Sequence, residues 1–360
     1  MKRKNTGLQM NEVNEKTKVS MKTRIISAII ALIVVVPTIL IGDWLFFALV
    51  VFFVFVSTYE LIKCAKPKHP VGLYVIAVIF LLSLTMLPLL RNIFFSQENE
   101  FSWQLWTSFT SPYLSVAIVA LSFLALFWFV VADANFTVKD ACFIFCIGVA
   151  LAIGLQSMLF IRYIPIFEHY NLVGEVVGGA FNPKYPDGAN DYFTFFKNFE
   201  SASLAIYIAI GTFMTDTGAY FIGVLFGKNK INPRISPKKT WEGFFGGIAI
   251  SALSSFGFAI ILALAGHPVL ECFDLNHWYL ILILSLLMPL FATLGDFTFS
   301  ALKRHYEVKD FGNILPGHGG VLDRIDSLIF TASVSAIVIS VMLFIVYPET
   351  YSAIGGNPFI

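Results

Sequence analysis

Charge is scarce in this sequence: Asp, Glu, Lys and Arg make up 13% of its 360 residues, where a soluble domain carries about 25%. That deficit excludes a globule wetted on all sides. Cysteine is scarce as well, with four residues, which excludes a disulfide framework. Cys142 and Cys146 stand one turn apart in an apolar run that lacks further metal ligands, so they read as lipid-embedded packing. There is no internal repeat and no low-complexity run. The first 20 residues are polar and mixed in charge, without a short apolar core and a small-residue cleavage site, and read as a cytoplasmic tail, not a signal peptide.

What abounds is apolar. Hydrophobic residues reach 57% and the mean hydropathy is +0.78. A bilayer core takes about 20 apolar residues per helix, and the sequence offers about nine candidate spans, at roughly 25–41, 44–62, 71–90, 113–132, 140–162, 201–222, 243–266, 278–299 and 326–347. The expected fold is therefore an all-α integral membrane protein, a polytopic helical bundle. With the N-terminus inside and the C-terminus outside, 20 of the 24 Lys and Arg residues fall on inner segments, the asymmetry that cytoplasmic loops show. Arg91, Arg162, Lys184 and Lys197 remain outside. The expected organisation is a tail at 1–20, a transmembrane region at 21–200 with outer loops 91–112 and 163–200, a second transmembrane region at 201–347 and an outer tail at 348–360. His169 and Glu168 in the second outer loop read as solvated loop residues.

Chemistry gathers in the C-terminal half, on one side of the membrane. Asp216 lies about 9 Å inside the sixth span at 1.5 Å per residue, and a carboxylate at that depth faces a polar cavity or pairs with a cation. After that span, Ser236 and Pro237 read as an N-cap and first-turn proline. On that reading Lys238 and Lys239 occupy the first turn of the seventh span, where the helix dipole disfavours cations unless an anion compensates. With the hydroxyls of Ser236 and Thr240 they make a phosphate site. Lys228 and Lys230 are better read as attracted to anionic headgroups.

The second place runs from Gly295 to Asp326. Asp296 ends the eighth span, and Asp323 and Asp326, three apart, share a face if the ninth helix begins there. Carboxylates that converge repel one another without a cation, and hard oxygens of this kind suit Mg²⁺, which completes its shell with phosphates and water. Between them lie Lys303, Arg304, Lys309 and Arg324, with the run Pro316-Gly317-His318-Gly319-Gly320 as a backbone anion nest. Acid and base together suggest metal plus polyphosphate.

These residues resemble the signature of the phosphatidate cytidylyltransferases, S-x-L-K-R-x4-K-D-x-G-x2-L-P-x-H-G-G-x2-D-R-x-D, from Ser300 to Asp326 at every fixed position. The stretch from Asp216 to Gly243 is similar to the family's second block, including Gly218, Gly223, Gly227, Ser236, Pro237, Lys239, Thr240 and Glu242. Val224 departs from it, standing where many relatives are basic. The resemblance is specific over roughly 211–330 and architectural before that. It implies a cytidylyl transfer from CTP to phosphatidic acid, releasing pyrophosphate, in a bacterial cell membrane with the site facing the cytoplasm.

The resemblance also implies roles. Asp296 and Asp323 would hold Mg²⁺, alone or beside a second cation, with Asp326 as a further ligand or as a partner to the residues that ligate it. Lys238, Lys239 and Arg304 would grip the CTP phosphates or the pyrophosphate, and Lys303, Lys309 and Arg324 the lipid phosphate. Asp216, Ser236, Thr240, His318, Gly319 and Gly320 complete the expected substrate contacts, with a structural role in the turn as the equal alternative for His318. The expected partners are CTP and a bilayer lipid, with no nucleic acid. Gly243 and Gly247 form a small-x3-small pair that could pack a homodimer or an intramolecular helix pair equally well. A CTP-dependent lipid kinase, another membrane phosphotransferase and a secondary transporter are the alternatives. The first would release CDP, and the last would be expected to show paired broken helices in two halves.

Overall fold

A computed structural model describes residues 15–65, 70–86, 112–172, 175–177, 180–182, 195–270, 272–317 and 319–346. Among them are nine helices: α1 (Glu15–Ile41), α2 (Asp43–Ala65), α3 (Val71–Thr85), α4 (Pro112–Ala132), α5 (Val138–Leu172), α6 (Phe195–Phe226), α7 (Trp241–Leu264), α8 (Trp278–His305) and α9 (Leu322–Val346). Each answers to one apolar run of the sequence. Six are long and apolar enough to cross a membrane, and shorter apolar helices cover Ile29–Ile41, Val71–Thr85 and Val116–Ala132. The helices form because a chain in hydrocarbon must bond its own backbone groups internally. The protein is thus a multi-pass helical membrane protein, with two antiparallel hairpins besides: β1 (Glu175–Val177) with β2 (Ala180–Asn182), and β3 (Lys230–Asn232) with β4 (Ser236–Thr240).

On α7 burial is inverted relative to a helix of a soluble bundle. Leu253, Ile261 and Leu264 of α7 are each more than 60% exposed, while the helix turns Gly243, Gly247, Ser251 and Ser255 inward. The small residues let α7 lie against α6 at backbone distance: a Cβ on Gly247 would stand 2.7 Å from the carbonyl of Thr215, and Ser251 Oγ donates to the carbonyl of Gly211 at 2.6 Å. The Gly243–Gly247 pair is therefore used within the chain, between α6 and α7.

Long-range contacts sort the helix ends into two levels. At one level Glu60, near the end of α2, bonds the start of α9, and Ser27 of α1 donates to the carbonyl of Pro316 at 2.9 Å. At the other, Arg162 of α5 meets the end of α1, and Ser203 of α6 meets Val269 beyond α7. Arg162, expected on the outer side at the end of the fifth span, is 1% exposed. Its Nε donates to the carbonyl of Ile39 at 2.8 Å and Nη2 to that of Leu40 at 3.4 Å. The guanidinium caps the C-terminal carbonyls of α1, and Gly42 beside it, at a φ of +73°, has no Cβ to collide with that side chain.

Candidate active site

Helix α8 runs further than its apolar stretch, so the motif residues Ser300 to Arg304 sit on helix and not in a loop. Asp296, Ser300 and Lys303 follow one another along one side of the helix, and Ser300 Oγ donates to Asp296 Oδ1 at 3.2 Å. The helix closes in a Schellman turn: Val308 N–H reaches the carbonyl of Lys303 at 2.9 Å and Glu307 N–H that of Arg304 at 3.3 Å. Glu307 takes the left-handed φ of 56° that usually belongs to glycine.

Beyond it the polar loop folds around one carboxylate. Asp323, in the first turn of α9, accepts the N–H of Phe311 at 2.8 Å and that of Gly320 at 3.0 Å, and its other oxygen takes Lys303 Nζ at 2.8 Å. Gly317 and Gly319 hold φ of +76° and +88°, which lets Leu315 and Gly319 exchange both backbone bonds and shut the turn. His318, expected at a phosphate, lies outside the described residues. Asp326 is 3.9 Å from the same Lys303 ammonium. Asp323, Asp326 and Lys303 are all at most 9% exposed.

The opposite wall corrects the sequence reading. Ser236 and Pro237 do not open a helix: Ser236–Thr240 is strand β4, paired with β3, and the N-cap of α7 is Thr240, whose Oγ1 accepts the N–H of Gly243 at 3.1 Å. Both serine and threonine suit a cap, but extended backbone at 236–240 keeps two lysines out of the positive first turn. Alternation along the strand parts those lysines. Lys238 is exposed. Lys239 turns to α8, where it ion-pairs with Asp296 and lies 4.4 Å from the centroid of the Phe297 ring. Glu242, in the first turn of α7, holds the hairpin by accepting the backbone N–H groups of Lys228 and Asn229 and the Asn229 side-chain amide.

The site thus holds two carboxylate–ammonium pairs, Asp296 with Lys239 and Asp323 with Lys303. Asp216, which is exposed, lies within electrostatic range of Asp296, Lys239 and Arg324, and Asp326 within range of Asp296, Lys303 and Asp216. Around them Lys238, Arg304, Lys309 and Arg324 are exposed cations. Arg304 also ties the walls together, its guanidinium donating to the carbonyls of Ile235 and Val308, both at 3.4 Å. Among the described residues no group of three or more His, Cys, Asp or Glu side chains stands close enough to hold a metal by itself. The donor set instead suits a cation that takes one or two carboxylates and finishes its shell with phosphates. The arrangement can bind polyanions and neutralise charge on them.

Glu60 escaped the sequence reading, and Glu242 entered it only as a match to the second block, without its hold on the hairpin. Glu60 carried a signal, since an acid inside an apolar span is a functional candidate by position alone. Cys142 and Cys146 are exposed and unbridged on α5, and Cys64 and Cys272 are buried and unbridged.

A model of the cytidylyltransferase family matches residues 22–342, so the likeness extends well before residue 211. The phosphatidate cytidylyltransferase of Bacillus subtilis (strain 168) is 36% identical over 217 residues, 60% of this chain and 76% of that protein. That of Staphylococcus saprophyticus is 30% identical over 310 residues, 86% of this chain and 95% of the relative. The enzyme of Staphylococcus aureus (strain COL) is 31% identical over 314 residues, with the same coverage of 86% and 95%.

Proposed function

Because the chain belongs to the cytidylyltransferase family, we propose an account of how its site transfers the cytidylyl group of CTP to phosphatidate, giving CDP-diacylglycerol and pyrophosphate. The protein is a nucleotidyltransferase of phospholipid synthesis. An anionic oxygen of the lipid phosphate attacks the α-phosphorus of CTP; the new P–O–P bond forms as the α–β bridge breaks and pyrophosphate leaves. The nucleophile is already charged near neutral pH, so no strong base is required. The difficulty is bringing two polyanions together, which is a matter of positioning and charge neutralisation.

The observation that carries this reading is the pairing of Lys239 with Asp296 and of Lys303 with Asp323 inside a rim of exposed cations. Each ammonium is held by a carboxylate at the position where phosphate must arrive. Lys238, Lys239 and Arg304 bind the CTP phosphates and the departing pyrophosphate; Lys303, Lys309 and Arg324 bind the lipid phosphate. Asp296 and Asp323 would hold Mg²⁺, with Asp326 beside them, and the ion would supply neutralisation of the attacked phosphate and the leaving group. Asp216 would order the Lys239 side of the site. The site faces the cytoplasm of a bacterial cell, which the excess of Lys and Arg on that set of segments supports; there soluble CTP and a bilayer headgroup meet.

The test is incubation of the purified protein in detergent micelles with labelled CTP, phosphatidic acid and Mg²⁺. A CDP-lipid and pyrophosphate are expected, and Asp296→Asn should abolish both while the protein stays folded. Release of CDP with a phosphorylated lipid would replace this reading with a kinase. Full activity in the Asp296→Asn protein would remove that residue from the site.

A further inference from the structure

Helix α2 lies outside both sequence blocks that carry the family resemblance, yet one of its side chains enters the frame of the site. Glu60 is fully buried, at 0% exposed. Its two carboxylate oxygens accept separate backbone donors, Oε1 from Val321 N–H at 3.0 Å and Oε2 from Leu322 N–H at 2.8 Å. Both donors stand at the N-terminus of α9, where the first N–H groups of a helix lack intrahelical partners and the dipole favours negative charge. Val321 has no side-chain oxygen with which to cap the helix. A residue 261 positions away does so instead.

The contact is a built one. Gly312 and Gly320 close against the carboxylate so tightly that a Cβ on either would collide with it. Gly320 is then gripped twice, by Glu60 on one side and through its N–H by Asp323 on the other. Asp323 in turn holds Lys303 and Phe311. The segment from Phe311 to Leu322 is therefore anchored by two acids, one local and one from the second helix. Glu60 and Asp323 meet on one short piece of backbone, Gly320 to Leu322.

We propose that Glu60 is a positioning residue for the transfer reaction: by capping α9 in trans and seating Gly312 and Gly320, it sets the placement of Asp323 and Lys303. It touches no reacting atom. The inference rests on the reaction proposed above, but its structural half can be tested without substrate.

The full-length protein in micelles carries three measurements. Glu60→Gln keeps the shape but turns an amide donor toward a helix N-terminus, so one charged bond becomes a donor–donor clash. Hydrogen–deuterium exchange at residues 319–322 should quicken by roughly 10- to 100-fold, the range expected for losing a hydrogen bond to a charged group, while exchange in α6 and α7 stays as in the wild type. In steady state, kcat should fall by about tenfold or more and the half-saturating Mg²⁺ concentration should rise. Gly312→Ala displaces the same carboxylate, so the double variant should be no slower than the slower single one; it also serves if Glu60→Gln does not fold. A merely structural Glu60 would lower the unfolding midpoint and leave kcat per folded enzyme and Mg²⁺ half-saturation at wild-type values, which would overturn the proposal. Unchanged exchange at 319–322 would overturn it as well. Failure of the wild-type protein to make a CDP-lipid would sink the reaction and leave the exchange result standing.

Discussion

Replacing Lys303 by Met should destabilise the protein by about 3–5 kcal/mol, the cost of leaving a buried charge without its partner. The ammonium is 2.8 Å from Asp323 and 3.9 Å from Asp326, and the three residues are at most 9% exposed. At an effective dielectric of about 20 the two attractions amount to roughly 6 and 4 kcal/mol. Desolvation of the three groups takes back several kcal/mol for each ion, so the pairing yields little net gain, but its removal is costly. Methionine nearly matches the lysine stem in volume, so packing changes little. Asp323 then keeps its two backbone donors and Asp326 keeps the Ser327 N–H at 2.8 Å, but among the described residues neither has another side-chain cation in an ion pair. Denaturant unfolding in micelles, followed by tryptophan fluorescence, measures the loss. Adding Asp323→Asn to Lys303→Met should restore about 2 kcal/mol relative to additivity, because the second change removes the stranded charge. A loss below about 1 kcal/mol, or a strictly additive double variant, would refute the argument that Lys303 is the counter-ion of this cluster.

Three further outcomes are expected from stability measurements. Thr240→Ala should cost about 1 kcal/mol and Thr240→Ser much less, since the cap needs only an oxygen for Gly243 N–H. Glu307→Gly should raise stability by roughly 0.5–1 kcal/mol, because the residue holds a left-handed φ of 56° and no side-chain bond of Glu307 is needed for the Schellman turn. In α7, Gly247→Ala should cost about 1–3 kcal/mol, its Cβ being 2.7 Å from the Thr215 carbonyl, while Gly257→Ala, with nothing within 4 Å, should gain up to about 1 kcal/mol. Thermal unfolding of the paired variants separates the two glycines.

The helices were legible because a continuous apolar run in hydrocarbon satisfies its backbone within itself only as a helix, and every apolar run corresponds to one of them. The site's acids were legible for a related reason: charge inside such runs is rare enough to be counted residue by residue. The hairpin was not. Ser236-Pro237 and Thr240 each fit the start of a helix, and the choice fell to strand pairing between residues 230–232 and 236–240, which local sequence does not display. The same limit hid where α8 ends, since Glu307 performs a turn for which glycine is the usual sign. Glu60 was visible as an acid, but its partners lie 261 and 262 residues on, and only the folded bundle brings them together. For that reason a boundary drawn near residue 200 separates two stretches of sequence and not two structural halves of the site.

The contact of Arg162 with the end of α1 bears on the order in which the protein is assembled. Ile39 offers its carbonyl to a side chain made 123 residues later, and at translation rates of about 5–20 residues per second that interval is roughly 6–25 s. Until α5 has been made, the carbonyls of Ile39 and Leu40 lack this partner. Capping of the end of α1 by a guanidinium thus waits on synthesis of α5, and the first helix acquires this contact only after the next three have been made.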